Sequence, residues 1–269
     1  MMSTNATMRK LLLVAGTGLM LAGCVVAVPL DAPTTPMNVI AARKTLHNLA
    51  NPKGHFYVTD DAMQGYGYGS PVLRHDGLRF GPIDIPYDQM GAMSIRYMQA
   101  SPMINLRITL NSPGHPHTVS IDQQSNFPYV DEHQLASALI VLKQAARSYP
   151  DESARLEKAI ADYRATDPKP APSESMRRFQ IQAEEAVRSQ HFMQAAEIYT
   201  TALNEVPAWP QGHFNFALVL ESLGDYELAI EEMQHYLALE PDAPNARAAQ
   251  DGIYRWQARL QGVSASPAR

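Results

Sequence analysis

Cys24 is the only cysteine among the 269 residues and the strongest nucleophile that the sequence offers. A single cysteine excludes an internal disulfide framework and a Cys-rich zinc site. Cys24 directly follows an apolar, Gly-containing run over residues 11–23, which Arg9 and Lys10 precede. A charged segment followed by a short apolar run is typical of a secretory signal. The run is shorter than the roughly 20 residues that span a bilayer, so we expect a signal and not a transmembrane helix.

Histidines are the next candidates for chemistry. His115 and His117 are two residues apart and on a strand would share one face, where a third ligand would let them hold a metal ion. Pro116 lies between them in a Pro/Gly turn, and no Asp or Glu stands at a supporting spacing. We favour solvated turn histidines, with a metal role as the minor alternative. His213 is expected to be a packing residue, and we predict no metal site and no cofactor.

No catalytic motif is apparent in the rest of the chain. The sequence has no Ser in a Gly-x-Ser-x-Gly elbow and no zinc-protease helix motif. We therefore predict a protein that is not an enzyme, and an envelope hydrolase with an unrecognised site stays open as an alternative. With 45% hydrophobic residues the chain should fold, and a net charge of −5 gives no electrostatic reason to expect nucleic-acid binding.

The residues around the cysteine, Leu21-Ala22-Gly23-Cys24, resemble the lipobox of bacterial lipoproteins: an apolar residue, two small residues and a cysteine. The resemblance implies cleavage before Cys24, a diacylglycerol on its thiol and an acyl chain on the new amino terminus, including palmitate. A thiol suits this transfer because sulfur is the strong nucleophile among protein side chains. The alternative is a buried cysteine in a signal-anchored helix.

Removal of the signal peptide, residues 1–23, leaves 20 basic against 27 acidic residues, a net charge of −7. Residues 24–50 are then expected to form a lipidated tether, since residues 25–36 are rich in Pro, Thr and small residues. Val25 follows the cysteine where an Asp favours inner-membrane retention in enteric lipoproteins. By that resemblance the protein lies on the periplasmic face of the outer membrane, with the inner membrane as the alternative.

Residues 51–150 have the pattern of an antiparallel β domain. Apolar and polar residues alternate over residues 104–110, and Asp76-Gly77 favours a hairpin turn within residues 72–80. A helical period follows over residues 131–149. Short strands and one closing helix, with the segments Asp76-Gly77-Leu78-Arg79-Phe80 and Ile85-Pro86-Tyr87-Asp88-Gln89-Met90, resemble pleckstrin-homology-like or GRAM-like domains. The region has no basic cluster for a lipid headgroup, although lipid or glycan binding by this domain remains an alternative function.

After a short helix and a Pro-rich linker, residues 151–175, the sequence repeats with a period of 34. The pairs at this spacing include Ala195 and Ala229, and Pro207 and Pro241. The period and residue types resemble tetratricopeptide (TPR) repeats, covering 176–209 and 210–243. Residues 244–262 carry an apolar stripe that includes Trp256 and indicate a capping helix. The expected fold is thus an α+β multidomain protein, with an antiparallel PH-like β domain and an all-α TPR domain.

The resemblance to TPR proteins implies a groove that holds a peptide or a partner helix. The groove positions of this sequence are Arg177, Gln180, Glu184, Arg188, Gln211, Phe214, Leu218 and Glu221. The alternative is that this surface packs on the β domain. We expect a lipid-anchored envelope protein that acts as an interaction scaffold or assembly factor, with protein partners in the envelope and none among nucleic acids.

Overall fold

The computed structural model describes residues 25–30, 32–33, 35–49, 56–60, 65–69, 72–80, 83–98, 104–111, 117–123 and 132–264. Within these ranges the protein is an α+β molecule: antiparallel sheets come first, and a helical region follows. This confirms the expected order of a β region and an all-α region. No helix in the described ranges combines the length and the apolar character needed to cross a membrane.

The larger sheet has six strands: β1 (Val25–Leu30), β2 (Phe56–Asp60), β3 (Gly65–Gly69), β7 (Met90–Met98), β8 (Ile104–Leu110) and β9 (His117–Gln123). Their order in the sheet is β1-β7-β8-β9-β2-β3, and all neighbours are antiparallel. The predicted strand over residues 104–110 is therefore confirmed as β8. It lies in the middle of the sheet, with Ile108 fully buried.

The sequence predicts a tether over residues 24–50, but residues 25–30 of this segment form a strand of the larger sheet. β1 pairs along its whole length with β7, from Val25 opposite Met98 to Leu30 opposite Met93. Leu30 is buried in the core of the β region. A Val-rich run satisfies its backbone hydrogen bonds by joining the sheet edge, so this segment lies on the sheet and does not extend away from it.

The smaller sheet has three strands: β4 (Val72–Leu73), β5 (Gly77–Phe80) and β6 (Ile83–Pro86). The expected hairpin is present, since Leu73 pairs with Leu78, but its turn is centred on His75 and Asp76, one residue earlier than predicted. Gly77 does not have a positive φ. A Cβ there would lie 2.6 Å from the carbonyl oxygen of Ile85, so glycine is needed for the close approach of β6.

Two helices cover the β region. Helix α1 (Val39–Leu49) contributes Ala42 and Leu46 to its core, and the first half of helix α2 (Glu132–Ala165) contributes Leu135, Ala138 and Leu139. From the sheets, this core contains apolar side chains such as Leu73, Leu78, Phe80, Ile83, Ile85, Ile108 and Val119. The helical period over residues 131–149 arises from this packing.

Helix α2 does not end at residue 150, the expected end of the β domain. It runs for 34 residues through Pro150, where we expected two helices. Proline removes one backbone donor and usually interrupts a helix. Here both halves have partners: the first half packs on the sheets, and in the second half Tyr163 donates a hydrogen bond to Glu240. These contacts favour one continuous helix that links the two regions.

Five helices complete the described chain: α3 (Glu174–Arg188), α4 (Phe192–Glu205), α5 (Pro210–Leu223), α6 (Tyr226–Leu239) and α7 (Ala246–Ser264). Each packs on the next, and small residues such as Ala195 and Ala229 are fully buried where they meet. Trp256 on α7 is 0% exposed, as expected of a buried anchor.

The two turns that precede α4 and α6 use the left-handed conformation. Gly224 ends α5 with a φ of 81°. Gln190 stands at the equivalent position after α3 and has a φ of 59°. A side chain at positive φ is strained, so the same turn costs more at Gln190 than at Gly224.

Candidate functional site

A groove lies on the surface formed by α3, α4 and α5. It has a volume of about 460 Å³. The residues that line it are Gln180, Glu184, Val187, Arg188, Phe192, Tyr199, Gln211, Asn215, Leu218, Val219 and Ser222. Two polar pairs are set by helical spacing: the Gln180 amide donates to the Glu184 carboxylate at 2.8 Å, and the Gln211 amide donates to the Asn215 amide at 2.9 Å. The groove therefore combines amide groups with an apolar floor.

Five of the eight residues expected in the groove line it together: Gln180, Glu184, Arg188, Gln211 and Leu218. Leu218 is 42% exposed, so its side chain is accessible from the groove. The other three expected residues lie elsewhere: the ring of Phe214 packs edge-on against Tyr236, Glu221 accepts a hydrogen bond from Arg259, and Arg177 is exposed.

The opposite side of the helical region packs on α1 and α2. Asn38 donates to Glu197 on α4, Arg155 donates to the carbonyl of Asn204, and Tyr149 donates to Glu231 on α6. The groove lies on a different side of the helices from these contacts. Packing on the described part of the β region therefore does not fill the groove.

Arg43 and Asp225 join α1 to the turn before α6. Arg43 donates two hydrogen bonds, at 2.5 and 2.7 Å, to the two carboxylate oxygens of Asp225. Asp225 also accepts from the backbone N–H of Leu228 and so caps α6. Burial alone would raise the pKa of Asp225, but the charge and hydrogen bonds of Arg43, with a contribution from His47, hold it far below its ordinary value.

A cavity of about 270 Å³ lies between α1, α2 and the helical region. Apolar residues such as Ile40, Leu142 and Leu203 form much of its wall. Three residues with metal-binding groups also line it: His213 on α5, and Glu232 and His235 on α6. One ligand atom from each of the three lies within 4.8 Å of the other two.

The hydrogen bonds of His213 fix the orientation of its ring. Its Nε2 lies 2.7 Å from the carbonyl oxygen of Pro207, and its Nδ1 lies 2.6 Å from Oε2 of Glu232. A carbonyl only accepts, so Nε2 carries a proton and Nδ1 faces the carboxylate. His235 Nδ1 lies 4.0 Å from the same Glu232 oxygen, is buried and has no hydrogen-bond partner.

The charges of the cluster depend on one another. Burial would raise the pKa of Glu232, but the charge and hydrogen bond of His213, together with His235, lower it to about 2. Burial would lower the pKa of His235, and the neighbouring Glu232 and Glu231 carboxylates raise it overall. Glu232 is therefore a carboxylate at neutral pH, the form in which it binds a cation.

Sequence reasoning treated His213 as packing and did not identify Glu232 and His235. Glu232 and His235 are three residues apart on one helix, a spacing that places both side chains on one face. His213 comes from another helix, and only the packing of α5 on α6 brings it to them. The one local indication of this cluster in the sequence is the Glu-x-x-His spacing of Glu232 and His235.

Several other predicted site residues fall outside what the structure describes. Cys24 and His115 lie outside the described residues. His117 is the first residue of β9, and its side chain is not among those described.

Comparison with known proteins gives no family assignment. No protein-family model matches the chain, and no curated protein matches it.

Proposed function

We propose that the protein is a lipid-anchored envelope protein that acts as an interaction scaffold or assembly factor, through the groove on α3, α4 and α5. The observation that carries this proposal is the exposed Leu218 among the groove amides of Gln180, Gln211 and Asn215. Leu218 lines the groove together with the half-buried Val187 and Phe192, and apolar surface rimmed by polar groups is typical of a site that binds a partner.

The occupant that fits this groove is an extended peptide segment of a partner protein. Amide side chains both donate and accept hydrogen bonds, so they can pair with the N–H and C=O groups of an extended backbone. Glu184 and Arg188 add charges of both signs, which gives no preference for a strongly acidic or basic peptide. Leu218 and Val187 would contact an apolar side chain of that peptide.

The helical region is proposed to be a pair of TPR repeats with a capping helix. Helices α4, α5 and α6 fall within the two 34-residue units, and α3 begins two residues before the first unit. Gly224 has the left-handed conformation that the motif uses. The β region is proposed to be PH-like. Its antiparallel strands, with the first half of α2 packed on their core, support this.

The lipid anchor is proposed at Cys24, on the periplasmic side of the outer membrane. Several acyl chains, each contributing about 0.8 kcal/mol per buried methylene, give stable attachment. Since β1 begins at Val25, directly after Cys24, the edge of the larger sheet would be held close to the membrane surface.

Affinity capture from crosslinked envelopes tests the scaffold proposal. The double variant Leu218→Arg with Gln211→Ala changes two groove side chains that are exposed, so it should fold normally. Tyr254→Arg is the matched control, because Tyr254 is an exposed apolar residue on α7 outside the groove residues. We expect a stoichiometric partner whose recovery falls at least about tenfold in the double variant and is unchanged in the control. Equal recovery in all three proteins would refute the groove as the binding site.

A further inference from the structure

We propose that His213, Glu232 and His235 form a binding site for a divalent transition-metal ion of the zinc class, at the wall of the cavity between α1, α2 and the helical region. This goes beyond the proposed scaffold function and does not depend on it.

The first argument is the convergence of the three side chains. Two imidazole nitrogens and a carboxylate oxygen, with ligand atoms within 4.8 Å of one another, are a donor set that Zn²⁺ takes in three-ligand sites. An ion about 2.0–2.2 Å from each donor requires His213 and Glu232, now 2.6 Å apart, to separate and His235 to move closer to them. Imidazole donors favour zinc and its neighbours over Mg²⁺ and Ca²⁺, which prefer oxygen ligands.

The second argument is the tautomer of His213. Its Nε2–H donates to the carbonyl oxygen of Pro207, which leaves Nδ1 facing Glu232 at 2.6 Å. Metal-bound histidines typically donate their other ring N–H to a backbone carbonyl or carboxylate in this way. A lone pair and a carboxylate oxygen at 2.6 Å repel each other, so in the metal-free protein a proton lies between them, and a bound metal ion would replace that proton.

The surroundings of His235 favour a metal ion over a proton as the cation of this cluster. A proton shared by His213 and Glu232 satisfies those two residues and leaves Nδ1 of His235 buried without a partner. Most buried polar atoms in folded proteins have a partner, because an atom without one loses its hydrogen bonds to water and gains none in return. A metal ion between the three groups gives this nitrogen a bond, which accounts for its position.

A second group of metal-binding residues, His47, Asp225 and Glu227, does not support the same inference. Both oxygens of Asp225 are already bonded to the Arg43 guanidinium, a fixed positive charge that opposes a cation at that place. His213, Glu232 and His235 have no such basic partner in the contacts of the described chain.

All three proposed ligands line the cavity, so the fourth coordination position faces it. A water molecule, or an anionic group that enters the cavity, would complete a tetrahedral site. One ligand comes from α5 and two come from α6, so the ion would also link these helices and stabilise their packing.

Metal titration of the purified, tag-free chain tests the proposal. The protein is freed of metal with a chelator and titrated with Co²⁺, whose visible absorption reports tetrahedral coordination, and then with Zn²⁺ in competition. We expect one Co²⁺ per chain, displacement by Zn²⁺, no displacement by Mg²⁺, and a higher unfolding temperature with metal. A folded protein that binds no stoichiometric metal would overturn the proposal.

Variants assign the binding to these residues. Glu232→Gln and His235→Asn change the partly exposed ligands and should retain the fold, whereas His213 is buried and its replacement is avoided. Each should weaken Co²⁺ binding at least about a hundredfold, because the loss of a metal ligand weakens binding no less than the loss of a group that holds a ligand in place. His191→Asn, an exposed histidine outside the cluster, is the control and should bind normally. Unchanged affinity in both folded ligand variants would overturn the assignment.

Discussion

Arg43 on α1 and Asp225 before α6 form a doubly hydrogen-bonded ion pair in which both side chains are buried, at 7% and 5% exposure. The two residues are 182 positions apart in the chain. The pair therefore connects the N-terminal segment that packs on the sheets to the helical region, at the turn that Asp225 caps.

Removal of Arg43 should strongly destabilise this connection. We predict that Arg43→Leu lowers the free energy of unfolding by about 3–5 kcal/mol, because Asp225 is left buried without a compensating charge. Urea unfolding followed by tryptophan fluorescence measures this, since Trp209 and Trp256 are both buried in the helical region. Lys158→Ala breaks an exposed ion pair with Asp162 and should change the value by less than about 1 kcal/mol. Similar small effects of both substitutions would show that the buried pair does not support the fold.

The same pair predicts a loss of stability in acid. Because the pKa of Asp225 is lower in the folded protein, its contribution is complete above its ordinary value of 3.8 and is lost as the pH falls below that value. Glu232, with a pKa lowered to about 2, contributes in the same direction. Glu227 acts in the opposite direction, since burial raises its pKa and the folded state holds its proton more tightly.

Asp225→Asn isolates the contribution of this carboxylate. The substitution lowers stability at neutral pH, and we predict that it also flattens the dependence of the unfolding free energy on pH between about pH 4 and pH 2. Urea unfolding at a series of pH values measures the slope for both proteins. A variant slope equal to that of the parent protein would contradict the assigned role of Asp225.

The turns before α4 and α6 predict opposite effects of two substitutions. Gln190→Gly relieves a side chain at positive φ and should raise the unfolding free energy by about 0.5–1 kcal/mol. Gly224→Ala introduces the same strain and should lower it by about 1 kcal/mol, although a Cβ there meets no other atom within 4 Å. Thermal unfolding by circular dichroism measures both. The prediction fails if Gln190→Gly is destabilising.

The periodic parts of the fold followed from the sequence, and its long-range contacts did not. Alternation over residues 104–110 predicted β8, and the 34-residue period predicted the helices around Ala195 and Ala229. These signals are local, because they reflect which face of one element is buried. The pairing of β1 with β7 depends on a strand 60 or more residues away, so the Pro-containing segment around Pro29 indicates a tether when its own sequence is considered alone.

The same difference between local signals and long-range contacts applies to the residues of the candidate sites. The resemblance to TPR proteins grouped Gln180 with Glu184 and Leu218 with Gln211, and these residues do line one groove. Phe214 lies on a neighbouring face, where the ring of Tyr236 provides an apolar contact that spacing alone does not reveal. The cluster of His213 with Glu232 and His235 requires the packing of two helices, so only the Glu-x-x-His spacing was visible in the sequence.

The proposed anchor makes a separate prediction. Cys24→Ser should abolish palmitate labelling and release the protein from membranes, because the hydroxyl is a much weaker nucleophile than the thiol. Circular dichroism of the released protein should match that of the parent, since residue 24 precedes the first strand. Labelling and membrane attachment that persist in the folded variant would contradict lipidation at this residue.

The most direct test of the central claim is site-specific photocrosslinking in cells. A photoreactive residue at position 218 lies within the groove, and one at position 254 lies on the exposed surface of α7. We predict that position 218 forms an adduct with one partner protein, that the adduct maps to an extended segment of it, and that position 254 forms none with that partner. Equal adducts at both positions, or none at position 218 while the protein is folded and membrane-bound, would contradict the scaffold function.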